Sequence, residues 1–91
     1  MKHEIVLDGR KLGERRSAHA WLQKEFAFPE YYGANLDALN DCLSEVSQDT
    51  EIVLTKENLD EICRSSYAYQ ILLVMSKAAE ENPHLQIRFH K

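Results

Sequence analysis

Ile52-Val53-Leu54-Thr55, near the middle of the 91-residue chain, sets three consecutive apolar residues before a residue able to cap a helix. A short apolar run without polar alternation is the pattern of a buried strand. Downstream, Thr55 caps a brief helix carrying Leu59, Ile62 and Cys63. Ser65 or Ser66 then starts another, with Tyr67, Ile71, Leu72, Val74, Met75 and Ala78 on most of its sides, and this helix is expected to be the most buried. Asn82-Pro83 stops it, and Leu85, Ile87 and Phe89 alternate with Gln86 and Arg88 as a last strand exposed on one face. Upstream, Glu4-Ile5-Val6-Leu7 reads as a first strand covered on both faces, closed by a turn at Asp8-Gly9. Ser17 is the expected N-cap of a helix whose stripe is Ala18, Trp21, Leu22 and Phe26, ending before Pro29. Residues 27–34 form a loop, and Asn35 caps a helix to about Ser47 with Leu36, Leu39, Leu43 and Val46 on its apolar side. Every pair of successive strands is separated by helices long enough to cross over. The expected fold class is therefore α/β, a small parallel sheet with packed helices.

Composition narrows the class of protein. With 44% hydrophobic and 29% charged residues the chain should fold, and its length makes one domain, residues 1–91, the expectation. The longest apolar run, Ile71 to Met75, is far short of the roughly 20 residues of a membrane span. The start, Met1-Lys2-His3-Glu4-Ile5, turns acidic at once and carries no apolar signal core, so a cytoplasmic location is expected. Cys42 and Cys63 form no C-x-x-C, and His3, His19, His84 and His90 are scattered. No metal or cofactor is expected, and both cysteines read as small core hydrophobes. No nucleophile elbow, phosphate loop or dinucleotide fingerprint occurs.

The net charge of −4 hides an uneven distribution. Between Lys24 and Lys56 stand seven acids and no base, whereas the rest of the chain has eight acids against eleven bases. Such a block repels phosphate backbones and attracts basic partners, so direct nucleic-acid binding is disfavoured. Within it, Asp37, Asp41 and Glu45 recur at i, i+4 and i+8 on one helix, with Cβ atoms about 5–6 Å apart. Like charges at that spacing cost roughly 0.2–0.5 kcal/mol per pair, and no lysine or arginine of the same helix relieves them. Only Asp37 is near enough to the N-terminus to gain from the helix dipole. The stripe therefore reads as a binding feature. Two carboxylates on the outer edge of one helix lack the burial and facing geometry of a catalytic acid–base pair, so no catalytic residue is assigned. In the adjoining loop, Tyr31 and Tyr32 offer one core and one interface residue, read as Tyr32 packed and Tyr31 exposed. Gly33 is expected to supply a positive φ or a close backbone approach.

The block Phe28-Pro29-Glu30-Tyr31-Tyr32-Gly33-Ala34-Asn35-Leu36-Asp37-Ala38-Leu39-Asn40-Asp41-Cys42-Leu43 resembles the signature of the barstar family, intracellular inhibitors of small secreted ribonucleases. The resemblance, with the order of elements, spans nearly the whole chain. It implies a three-stranded parallel sheet and a non-enzymatic protein that is a monomer when free. Its loop and second helix would plug a basic ribonuclease active site in a one-to-one complex. It places partner contacts on Tyr31, Gly33, Asn35, Asp37 and Asp41, with Asp41 as the principal anchor; Leu36, Ala38, Asn40, Ser44 and Glu45 on the same helix are expected to join them. Two positions depart from the best-known member: Asn40 stands for a tryptophan, and Lys77 for an interface glutamate. They favour the alternative of a barstar-like module binding a different basic toxin or regulatory partner.

Overall fold

The computed structural model describes residues 2–90. Three strands, β1 (His3–Val6), β2 (Thr50–Thr55) and β3 (Leu85–His90), form one sheet in the order β1-β2-β3, both pairings parallel. The first crossover carries a 3-10 turn (Gly9–Lys11) and helices α1 (Arg15–Phe26) and α2 (Leu36–Ser44). The second carries α3 (Lys56–Cys63) and α4 (Ser66–Glu81). The expected parallel α/β architecture is present.

Register aligns Ile5, Ile52 and Ile87 across the sheet. On this side Ile5, Ile52, Leu54 and Leu85 are buried, and with Leu22, Leu39, Leu43, Ile62, Ile71 and Met75 they make the core. The opposite side carries no helix and is open except at central Val53, which is 4% exposed. Glu51, half-buried at its centre, accepts from Arg88 Nε at 2.8 Å and pairs with Lys2 at 3.7 Å, while Arg88 also reaches Glu4 at 3.8 Å. The expectation that β1 is covered on both faces is thus corrected: Val6 is about half exposed, because the helices pack against one face only.

Local chemistry sets most helix starts. Asn35 Oδ1 accepts from Ala38 N–H at 2.7 Å, Thr55 Oγ1 from Asn58 N–H at 3.2 Å and Ser65 Oγ from Ala68 N–H at 3.3 Å. Each cap of this kind contributes about 1 kcal/mol. Ser17 is not a cap. Helix α1 starts earlier, with Glu14 in the capping position, and Ser17 Oγ donates back to the Glu14 carbonyl. Helix α2 ends at Ser44 rather than Ser47, because buried Asn82, beyond the end of α4, donates from Nδ2 to the carbonyls of Leu43 (2.9 Å) and Val46 (3.0 Å). Neither cysteine lies in the fully buried core: Cys42 is half-buried against it and Cys63 is exposed. Helix α4 buries Ala68, Ile71, Met75 and Ala78. Its outward face shows Tyr69 and Leu73.

Candidate protein-binding site

The loop between α1 and α2 is held at both ends. Ala27, left-handed at φ 55°, closes α1 while Phe28 N–H bonds back to the Gln23 carbonyl at 3.0 Å. Gln23 Nε2 also donates to the Pro29 carbonyl at 2.9 Å, and Tyr32 N–H donates to the same oxygen at 3.0 Å. The resulting turn throws Tyr31 outward, 87% exposed, and Tyr32 inward, 8% exposed. That is the expected division of the pair. The positive φ expected at Gly33 falls instead on Ala34, at 52°. The alternative of a close approach holds for Gly33, since a Cβ there would lie 3.2 Å from the Ala38 Cβ.

Asp37, Asp41 and Glu45 are all exposed, and no ion pair among the described residues includes any of them. Elsewhere, Lys2, Arg10, Arg64, His84 and Arg88 are matched to carboxylates. The field of the stripe registers on its neighbour: burial, then Glu45 and Asp41, push the Cys42 thiol pKa up.

The three carboxylates do not share one recess. An i, i+4 step turns the side chain about 40° around the axis, so two steps turn it about 80°. Asp41 and Glu45 line a recess of about 430 Å³ with Phe26, Phe28, Tyr31, Tyr32, Gly33 and Ala38. Asp37 lines a different one, about 320 Å³, with Asn35, Leu36, Arg15 and Tyr67. Asn40 and Ser44 border neither; Ser44 Oγ donates to the Asp41 carbonyl at 2.7 Å. The loop and α2 thus bring together most of the residues expected from sequence. Sequence reading missed Arg15 and Tyr67, which reach the Asp37 recess from α1 and α4. Their only signal was in the fold. It also missed His19, 1% exposed, whose place beside the Ala18–Leu22 stripe was a legible hint.

Sheet, crossovers and surface together define a class: small parallel α/β proteins that present an uncompensated acidic helix edge beside an exposed tyrosine. The chain belongs to the barstar family, whose model, Barstar (barnase inhibitor), matches residues 2–90. It is 38% identical over 79 residues to a protein of Bacillus subtilis (strain 168) named "Putative ribonuclease inhibitor YrdF", a match covering 86% of this chain and 87% of that protein. The family is one of inhibitors, and the chain is not an enzyme. No helix among the described residues is long and apolar enough to cross a membrane.

Proposed function

We propose that this protein is a cytoplasmic inhibitor of a small basic ribonuclease, acting as an antitoxin for the cell that makes the enzyme. A free monomer, it binds one-to-one, setting Tyr31 and the outer edge of α2 over the enzyme's active site. A ribonuclease site is built to bind phosphates, and carboxylates on a helix edge can substitute for them. The observation that carries this reading is the set Asp37, Asp41 and Glu45, exposed, unmatched by any ion pair among the described residues and adjoining an 87% exposed Tyr31. Family membership and the relative's printed name support it. Opposite charge speeds encounter in a salt-dependent way, and burying the pairs against a fitted surface slows release.

Barnase inhibition by wild type and by Asp41→Ala, measured at about 50 and 500 mM salt, tests this reading. The variant should lose more than about tenfold in affinity, equivalent to about 1.4 kcal/mol, with most of the difference at low salt. Equal potency of the two proteins refutes the role of α2. Asn40 and Lys77, where the best-known family member has tryptophan and glutamate, favour a second reading: the same surface meets a basic toxin that is not a ribonuclease. Capture from the native cell, followed by a nuclease assay on the bound protein, separates the two.

A further inference from the structure

Beneath the candidate surface lies a buried titratable group that the binding reading leaves unused. His19 Nδ1 lies 2.6 Å from Tyr32 Oη, and its Nε2 lies 2.6 Å from Tyr67 Oη. The bridge belongs to a file of five rings. Phe26 stacks on Phe28 at 5.3 Å, Phe28 meets Tyr32 at 5.0 Å, and His19 stands 5.7 Å from both Tyr32 and Tyr67. Its two tyrosines open on different recesses, Tyr32 on that of Asp41 and Glu45, Tyr67 on that of Asp37 and Arg15.

A neutral imidazole donates from one nitrogen and accepts at the other, so one tyrosine gives it a proton and the other receives one. Tyr32 is packed, and its hydroxyl makes no other hydrogen bond among the described residues. Tyr67 is half-buried and borders a recess, where its own proton can reach water or a partner. Only one direction leaves no buried proton unpaired: Tyr32 O–H donates to Nδ1, Nε2–H donates to Tyr67 Oη, and Tyr67 O–H points outward.

We propose that His19 is a positioning residue of the partner-binding surface: protonated on Nε2, it ties the loop to α4 through Tyr32 and Tyr67 and sets the Tyr67 hydroxyl as a donor beside Asp37. This rests on the reading of that face as a protein-binding surface. The groups around the ring are Arg15 of α1, Tyr32 of the loop with the Cys42 thiol of α2 acting on it, and Tyr67 of α4, whose recess Asp37 shares. None of those in contact is a carboxylate. Burial first and Arg15 second hold His19 below its ordinary value. Protonation would make both nitrogens donors and strand the Tyr32 proton, so acid releases the brace.

Ring nitrogen-15 spectra of the free wild type at pH 7.5 read the tautomer directly. A protonated Nε2 with a bare Nδ1 is expected; a protonated Nδ1 overturns the proposal. Tyr67→Phe removes only the outer end of the chain. It should shift the Tyr32 and residue 28–34 signals and weaken barnase binding roughly three- to tenfold, the worth of one hydrogen bond. Unchanged loop signals overturn the brace whether or not barnase binds. His19→Gln, which keeps a donor and an acceptor but does not titrate, should flatten the pH dependence of the loop signals below about pH 6.5, followed down to the onset of acid unfolding. An identical profile for wild type and His19→Gln overturns it. If wild type fails to bind barnase while ring and loop signals behave as stated, the brace stands and the ribonuclease reading falls.

Discussion

Replacing Asn82 with alanine should be among the most damaging single truncations of a polar side chain in this protein. The residue is 7% exposed and makes three side-chain hydrogen bonds, two from Nδ2 to the carbonyls that end α2 and one accepted by Oδ1 from His84 N–H at 2.9 Å. It thereby fastens the end of α2, the end of α4 and the entry to β3 at one point. Each such bond contributes about 1 kcal/mol net, and the truncation leaves acceptors at Leu43 and Val46 without their donor. Leu43 keeps one long bond from Val46 N–H at 3.3 Å, so the expected loss is about 2–3 kcal/mol. Against a total of about 5–13 kcal/mol for 91 residues this is a large fraction. Urea denaturation followed by circular dichroism should show the midpoint falling by roughly 1–3 M with an unchanged slope. Asn82→Asp is the discriminating companion, since it keeps the acceptor for His84 but faces two carbonyls with a carboxylate. It should be at least as unstable as the alanine variant at neutral pH. A loss under about 1 kcal/mol in both variants would refute this account of where α2 stops.

Other perturbations probe separate parts of the structure. Gly9→Ala would place a Cβ 2.7 Å from the Asn58 carbonyl oxygen and 2.7 Å from the Glu61 Cβ, so α3 must shift; a loss of about 2–3 kcal/mol by urea titration is expected. Ala27→Gly relieves a left-handed alanine and should raise stability by about 0.5–1 kcal/mol, read as a higher denaturation midpoint. The Arg88 hydrogen bond, more than any other influence, holds the Glu51 carboxyl below its ordinary 4.5. A carboxyl lowered in the folded state stabilises above its unfolded value and loses that contribution as pH falls through the folded one. Melting temperature should therefore drop below about pH 4.5, and the drop should be shallower in Glu51→Gln.

Elements defined by short-range chemistry were legible in the sequence. Asn35, Thr55 and Ser65 cap helices because a side-chain oxygen reaches an amide three residues on, a contact that needs no distant partner. The alternation of Leu85, Ile87 and Phe89 likewise placed β3. What escaped depends on residues far apart in the chain. The end of α2 is decided by Asn82, and the openness of one sheet face by where the helices pack rather than by the apolar run in β1. Gly33 invited the left-handed conformation, yet its close approach to Ala38 shows a missing side chain used for space, while Ala34 takes the strained turn. In the candidate site the carboxylate stripe and Tyr31 could be read from spacing and residue type. The division of that stripe between two recesses could not, because Arg15 and Tyr67 arrive from other helices, nor could the burial of His19 between two tyrosines.

Because both strand pairings are parallel, β2 has no hairpin partner to nucleate on. The chain must close a two-helix excursion before either edge strand can bond to it, and loop closure on that scale slows folding relative to a helical protein of equal size. Until the last strand docks, one flank of β2 presents bare amides and carbonyls to whatever is nearby. A newly made molecule therefore passes through an adhesive interval that ends only when β3 docks along β2.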